Sequence, residues 1–563
     1  MTKIIKETAS MYTRDRVKLD ADIYRPDTSE KLPILLMRQP YGRAIASTVV
    51  YAHPRWYAAQ GYIVVIQDVR GRGTSEGKFD LFTHEVDDGL DTISWVTQLP
   101  NSTEEVGMYG FSYQGMTQLY VAANKPQVLR AIAPAMVAYD LYTDWAYENE
   151  AFCLYANLAW AIQLAAETAR IKGDEAAYLR LAAAAKNLPL GDSIPANPKI
   201  MQELALDSFY HTWLNNPHPE TYWQERSPKY LLQDVDLPML HVGGWFDPYL
   251  RGTLNLYRAM AAKSQYPQHL VVGPWGHLPW GRKLNQIDYG IEAQNPIDQL
   301  QIRWFDYFLK GKDTGVLNES PISLFEMGSN QWQEFNEFPE SQKIYYLASD
   351  GLASMREDAG MLWEYESETE STSPQELLAT DLTEAVTEFS NTEDILVHDP
   401  WRPVPARGGH AVFPSGSGDR TDLDCRTDVL TYTSAPLESG LHIVGEVAVE
   451  IYCTADAPSF DLCAVLSTVD SQGRVFNFTQ GYIRVDTPQS PITIPLQTTC
   501  IYMPSQTSLR LSLSAACFPA YPVNSGTGKP PSQTRSLDMQ IITIAIKSGA
   551  DYPSLIRLAI ASN

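Results

Sequence analysis

The sequence predicts an α/β protein: a mostly parallel sheet with helices on both faces, interrupted by a helical insertion and followed by a domain built of strands. Three observations carry this expectation. Short runs rich in Ile, Leu and Val alternate with helix-like spacing over the first 135 residues. Ala, Leu and Glu dominate from about Tyr139 to Leu231, with no strand pattern. Beyond Ser341, short strand patterns follow one another with turns between them and no convincing helix.

Taken in order, Val17–Tyr24 alternates as a half-buried strand does, and Leu32–Met37 and Tyr62–Ile66 are the continuous apolar runs of strands covered on both faces. Asp87–Leu99 spaces Leu90, Ile93 and Val96 for one face of a helix and opens on acidic residues, which suit the positive end of the helix dipole. Val106–Tyr109 is a strand, Gly115–Asn124 a helix and Leu129–Ala133 a strand again. The insertion contains helical stretches at Ala165–Arg170 and Glu175–Lys186. The α/β pattern then resumes with Pro238–Val242, His269–Val272 and an amphipathic helix over Gln299–Leu309. Strands are expected at Lys343–Leu347, Val429–Thr433, Val444–Cys453, Ala464–Val469, Gly481–Val485 and Leu509–Ala515, as in a β-sandwich or jelly roll. Glu366–Glu393, rich in Ser, Thr and Glu, is expected to be a solvated loop. The resulting division is a core over 1–138 and 232–340, a cap over 139–231 and a β-domain over 341–563.

Composition removes several function classes. At 563 residues the chain exceeds one hydrophobic core. A net charge of −24 opposes binding to nucleic acid or to anionic membranes, both of which need clustered Lys and Arg. Met1–Glu7 has no apolar leader and no run reaches the roughly 18 apolar residues of a bilayer span, so a soluble cytoplasmic protein is expected. The six cysteines form no CxxC pair, which disfavours a zinc or redox role. No metal or organic cofactor is expected.

The chemistry begins at Met108-Tyr109-Gly110-Phe111-Ser112-Tyr113-Gln114-Gly115, where a buried strand meets a helix with a serine at the turn. Such an elbow projects a nucleophilic hydroxyl above the sheet of an α/β hydrolase, although the spacing here is Gly-x-Ser-x-x-Gly rather than Gly-x-Ser-x-Gly. A serine needs a base, and the base an orienting acid. In this architecture the acid and then the histidine follow later strands. Pro238–Phe246 runs into Asp247, and Leu270–Gly276 runs into His277. Of ten histidines only His277 has this placement. His241 lies inside its strand as a core residue, and His269 precedes its strand, at the wrong end of the sheet. Ser112, His277 and Asp247 are therefore the expected triad.

With these segments, Arg38–Gly42, Gln67–Gly77, Pro403–Gly409 and Arg426–Leu430, the chain resembles the family of cocaine esterase, X-prolyl dipeptidyl-peptidases and α-amino-acid ester hydrolases. The resemblance covers nearly the whole chain, and the family elbow is Gly-x-Ser-Tyr-x-Gly, as found here. It implies a hydrolase core, a helical cap, a C-terminal jelly roll, and an oxyanion hole made of the Tyr41 hydroxyl and the Tyr113 backbone N–H. The Asp68–Gly77 loop lacks the lysine and spacing of a phosphate-binding loop and is expected to be structural.

Expected pocket residues are Trp145, Trp160, Phe246, Tyr249 and Phe413. Relatives acting on α-amino esters carry carboxylates after the catalytic Asp, whereas Asp247 is followed by Pro248-Tyr249-Leu250, which favours neutral aromatic or aliphatic acyl groups. The acid-rich Asp144–Glu150 segment is the one feature suited to a cationic amine. Three functions remain in view: a carboxylesterase acting on small-molecule esters or amides, an X-prolyl dipeptidyl-peptidase, and an inactive binding protein that captures carbohydrate or a partner protein. Self-association into a homo-oligomer stays open.

Overall fold

The computed structural model describes residues 3–364, 390–487 and 490–561. Ten strands form one sheet: β1 (Ile4–Tyr12), β2 (Lys18–Pro26), β3 (Leu32–Gln39), β4 (Ile63–Asp68), β5 (Ser102–Phe111), β6 (Leu129–Ala135), β7 (Met239–Phe246), β8 (Gln268–Gly276), β9 (Ile322–Glu326) and β10 (Gln331–Phe335). Their spatial order is β1-β2-β4-β3-β5-β6-β7-β8-β9-β10. From β4 to β9 neighbours run parallel, with antiparallel strands at both edges.

The apolar runs read from the sequence are central strands whose side chains alternate between two buried faces. Ile34 and Leu36 pack in one cluster with Ile93 and Val96 of helix α1 (Glu85–Val96) and Met116 and Leu119 of α2 (Tyr113–Ala122). Leu35 and Met37, one residue out of step, pack in another with aromatic residues of the Ile297–Lys310 helix. Both faces exclude water, so no polar alternation marks these strands.

Between β6 and β7 lie α3 (Leu154–Lys172), α4 (Glu175–Lys186), four shorter α-helices and a π-helical turn at Tyr142–Ala146. The expectation of no strands here needs one amendment: Tyr147–Glu148 and Ala151–Phe152 pair as a small antiparallel ladder, with Asn149 and Glu150 at positive φ in its turn. Helices α5 (Leu250–Ala261) and α6 (Ile297–Lys310) complete the core.

The C-terminal part is all-β. Each expected strand overlaps an observed one, and five more appear at Gly360–Glu364, Thr392–His398, Ile492–Met503, Ile542–Ser548 and Leu555–Ile560. Leu441–Ala455 pairs with Ile492–Met503 along one edge and passes from Leu555–Ile560 to Ile542–Ser548 along the other. Most of the expected loop Glu366–Glu393 falls outside the described residues; Thr392 and Glu393, at its end, begin a strand. No helix among the described residues is long and apolar enough to cross a membrane.

Candidate active site

Ser112 stands between β5 and α2 with φ 59° and ψ −128°, a conformation that costs a non-glycine residue on the order of 1–3 kcal/mol. The turn is held by Ser112 N–H to Ala135 O and Met116 N–H to Ser112 O, each 2.9 Å. The unusual glycine spacing has a packing cause. A Cβ on Gly110 would lie 2.5 Å from Gln114 Cβ, and one on Gly115 would lie 2.4 Å from Val137 Cγ1. The second position that must be small is the one facing β6, three residues after the serine.

β7 delivers Asp247 and β8 delivers His277 to the same rim of the sheet. His277 Nδ1 lies 2.8 Å from Asp247 Oδ1, and His277 Nε2 lies 3.1 Å from Ser112 Oγ. Asp247 is fully buried; desolvation pushes its carboxyl above the usual range, and the bond to His277 opposes that shift. Its other oxygen accepts the Tyr249 N–H at 3.2 Å. The imidazole is steadied by the Phe111 ring at 5.4 Å and the edge-on Tyr249 ring at 5.0 Å. With Asp247 accepting from Nδ1–H, the Nε2 lone pair faces the serine hydroxyl and can take its proton.

Tyr41 lines the same cavity beside Ser112. Its oxygen accepts the indole N–H of Trp160 at 3.1 Å, which leaves the phenol proton for the Ser112 side. Burial pushes the Tyr41 phenol up to about 12, so it remains a neutral donor at ordinary pH. The loop carrying it is clamped on both flanks: Tyr41 N–H donates to Gln39 Oε1 at 2.9 Å, and Arg43 N–H to Asp68 Oδ1 at 2.6 Å. Tyr113 opens α2, so its N–H has no intrahelical acceptor. Its side chain points away into a buried network with Glu85 (2.7 Å), which also accepts from Arg38 at 2.8 Å. In the Asp68–Gly77 loop, Arg70 is engaged by Asp15 and Asp88.

Ser112, His277 and Tyr41 open onto a cavity of about 880 Å³. All five expected pocket residues line it: Trp145, Trp160, Phe246 and Tyr249 in the wall, and Phe413 largely exposed at the mouth. The acid-rich segment does not serve it. Asp144 accepts the N–H groups of Tyr139 and Asp140, Glu148 is clasped by Arg251, and Glu150 accepts the Tyr142 hydroxyl; none of the three carboxylates lines the cavity. This segment therefore presents no carboxylate to the cavity. Glu167 does line the cavity, but both its oxygens are bonded by Arg170.

Sequence reasoning missed a buried cluster behind the wall. Glu148 Oε2 accepts from Arg251 (2.8 Å), His410 (3.0 Å) and Tyr521 (2.6 Å). Burial opposes ionisation of Glu148, yet these partners outweigh it and hold the carboxyl well below the usual range. His410, a residue of the cavity lining, thus ties the C-terminal domain to the insertion. Its neighbours in space lie more than a hundred residues away in sequence, so no local signal marked it. His241 is a buried core residue bonded to Gln268, as its place inside a strand implied.

Fold and site together define a serine hydrolase. Residues 15–279 match the family model described as X-Pro dipeptidyl-peptidase (S15 family), and residues 314–557 that of the X-Pro dipeptidyl-peptidase C-terminal non-catalytic domain. The chain belongs to the family that unites cocaine esterase and the X-prolyl dipeptidyl-peptidases. It is 28% identical to cocaine esterase of Rhodococcus sp. (strain MB1 Bresler) over 97% of both chains. Its fold matches an aminopeptidase from a marine sediment archaeon, Thaumarchaeota archaeon (TM-score 0.79, 23% identity), across 100% of this chain and 97% of the other. An α-amino acid ester hydrolase matches over the same shares of the two chains, with TM-score 0.77 and 21% identity.

Proposed function

We propose that this chain is a carboxylic ester hydrolase that works through an acyl-enzyme, with Ser112, His277 and Asp247 as its triad. The observation that carries the reading is the continuous hydrogen-bonded chain from the Ser112 hydroxyl through His277 to buried Asp247. Ser112 Oγ attacks the ester carbonyl as His277 Nε2 takes its proton. Asp247 keeps the imidazole oriented and stabilises its charged form. The carbonyl oxygen, now negative, is held by the Tyr41 hydroxyl and the Tyr113 N–H, a contribution on the order of 3 kcal/mol per donor in comparable sites. His277 then protonates the departing alcohol, and a water activated by the same imidazole releases the acid.

In this reading the core spans 1–138 and 232–340 as an α/β hydrolase, 139–231 is a cap over the cavity, and 341–563 is a jelly roll. The substrate is a small ester with an uncharged acyl group. Two observations support ester over dipeptide: the acids of Asp144–Glu150 are engaged elsewhere, and the one carboxylate in the cavity wall, Glu167, is paired with Arg170. The full-length similarity to cocaine esterase points the same way.

Labelling with a fluorophosphonate, followed by mass spectrometry of the adduct, tests the mechanism. The label is expected on Ser112 and absent from Ser112→Ala; folded protein that takes up no label would overturn the reading. Hydrolysis of nitrophenyl acyl esters, compared with a Gly-Pro anilide, tests the substrate class, and faster cleavage of the anilide would transfer the assignment to the peptidases.

A further inference from the structure

Arg72 is a buried guanidinium with no carboxylate partner. Its side chain is about as inaccessible as any in the protein at 1% exposure, and it forms no ion pair among the described residues. Among the described residues its side chain hydrogen-bonds from Nη1 to the carbonyl of Leu164 in α3 at 3.2 Å, and its Nε has no partner. The guanidinium carbon lies over the Phe79 ring, 3.8 Å from its centroid, and Phe79 in turn packs against Tyr113 at 5.9 Å. Burial pushes the guanidinium down to about 10, which leaves it charged at neutral pH. Glu167, the carboxylate whose field reaches it, is engaged by Arg170.

A charge isolated in this way is costly unless something nearby responds to it. Two features stand next to it. Leu164 is four residues after Trp160, hence on the same face of α3, so the bond to Leu164 O fixes the turn from which Trp160 reaches the Tyr41 oxygen. The phenols of Tyr41 and Tyr113 are also within the electrostatic reach of Arg72.

We propose that Arg72 is a positioning residue of the acyl-transfer site, which holds the Trp160–Tyr41 pair in place and sets a positive charge behind the oxygen that becomes negative in the tetrahedral intermediate. This inference rests on the reading of Tyr41 as an oxyanion donor. The loop is built for the task. Arg72 N–H bonds to Val69 O and Ser75 N–H to Arg72 O, while Ser75 Oγ donates to Asp68 O, so the backbone that carries the guanidinium is rigid. No bond is made or broken at Arg72, and its effect is confined to the energy of the negative oxygen and the orientation of its donor. Ground-state binding of a neutral ester is left nearly unchanged, which separates this role from that of a pocket wall.

The test compares the wild type with Arg72→Met and Arg72→Lys in hydrolysis of a nitrophenyl ester and in inhibition by phenylboronic acid, which adds to the serine oxygen as a tetrahedral anion. Arg72→Met is expected to lower kcat about tenfold or more, to change KM less than about twofold, and to weaken boronate inhibition by the same factor as kcat; Arg72→Lys should recover part of both. Unchanged kcat and boronate inhibition, a rise in KM alone, or a Lys variant no better than Met would each overturn the proposal. Should Arg72→Met not fold, Arg72→Lys is combined with Trp160→Phe: non-additive losses in kcat support the shared role, and strict additivity refutes it. Fluorophosphonate labelling of the wild type keeps the two levels apart, since a labelled enzyme insensitive to Arg72 removes this inference alone.

Discussion

Gln497, on the Ile492–Met503 strand of the C-terminal domain, donates through Nε2 to the carbonyls of Trp245 and Asp247, at 2.8 and 3.1 Å. One buried amide from the β-domain therefore fixes the loop that presents Asp247 to His277. Gln497→Leu keeps the volume and removes both bonds, leaving two buried carbonyls without this donor. Because displacement by a fraction of an ångström is enough to spoil proton transfer, kcat should fall about tenfold with the protein still folded. Steady-state kinetics beside a thermal melt reads this directly; an unchanged kcat would mean that the loop holds Asp247 unaided.

Tyr41→Phe keeps the ring and removes the phenol proton. The expected loss is about 100-fold in kcat, with little change in KM or in the melting temperature, since the packing of the loop rests on Gln39, Arg43 and Asp68 rather than on the hydroxyl. A loss confined to KM would assign Tyr41 to the pocket wall.

The meeting of Ser112, His277 and Asp247 was legible because each ends a strand buried on both faces. The apolar runs before Ser112, Asp247 and His277 are β5, β7 and β8, and a parallel sheet brings the C-terminal ends of its strands to one rim. Tyr41 came only through family resemblance, since the partner of its hydroxyl, Trp160, lies 119 residues away. Gln497 and the Glu148–His410–Arg251–Tyr521 cluster left no local trace: each is a polar residue whose partners arrive from another part of the chain. The edge strand β1 was missed for a different reason. It pairs on one side only, and its sequence IIKETASMY mixes polar with apolar residues without a continuous apolar run, which reads as surface.

Gly115→Ala sets two principles against each other. Helix propensity alone favours alanine by about 1 kcal/mol. The new Cβ, however, would stand 2.4 Å from Val137 Cγ1 and 2.9 Å from the Ala135 carbonyl oxygen, and the end of β6 has no room to yield. Overpacking should win, with a net destabilisation of about 1–3 kcal/mol and at least a tenfold loss of turnover through the distorted elbow. A variant more stable than the wild type would show that the glycine spacing is not imposed by packing.

His241 supplies a pH test that leaves the site untouched. It is fully buried, donates through Nε2–H to Gln268 Oε1 at 3.0 Å, and burial pushes its imidazole from 6.5 down to about 4. A group depressed on folding takes up its proton more readily in the unfolded chain. The neutral ring is therefore fully compatible with folding above about 6.5, and stability is lost as the pH falls from there toward about 4. The shift corresponds to roughly 3 kcal/mol across that window. His241→Gln keeps a polar group near Gln268 and does not titrate. The wild type should melt progressively earlier as the pH is lowered from 7.5 to 4.5, while the variant, whatever its starting midpoint, falls less steeply. Parallel melting curves for the two proteins would show that His241 is protonated as easily inside the fold as outside it.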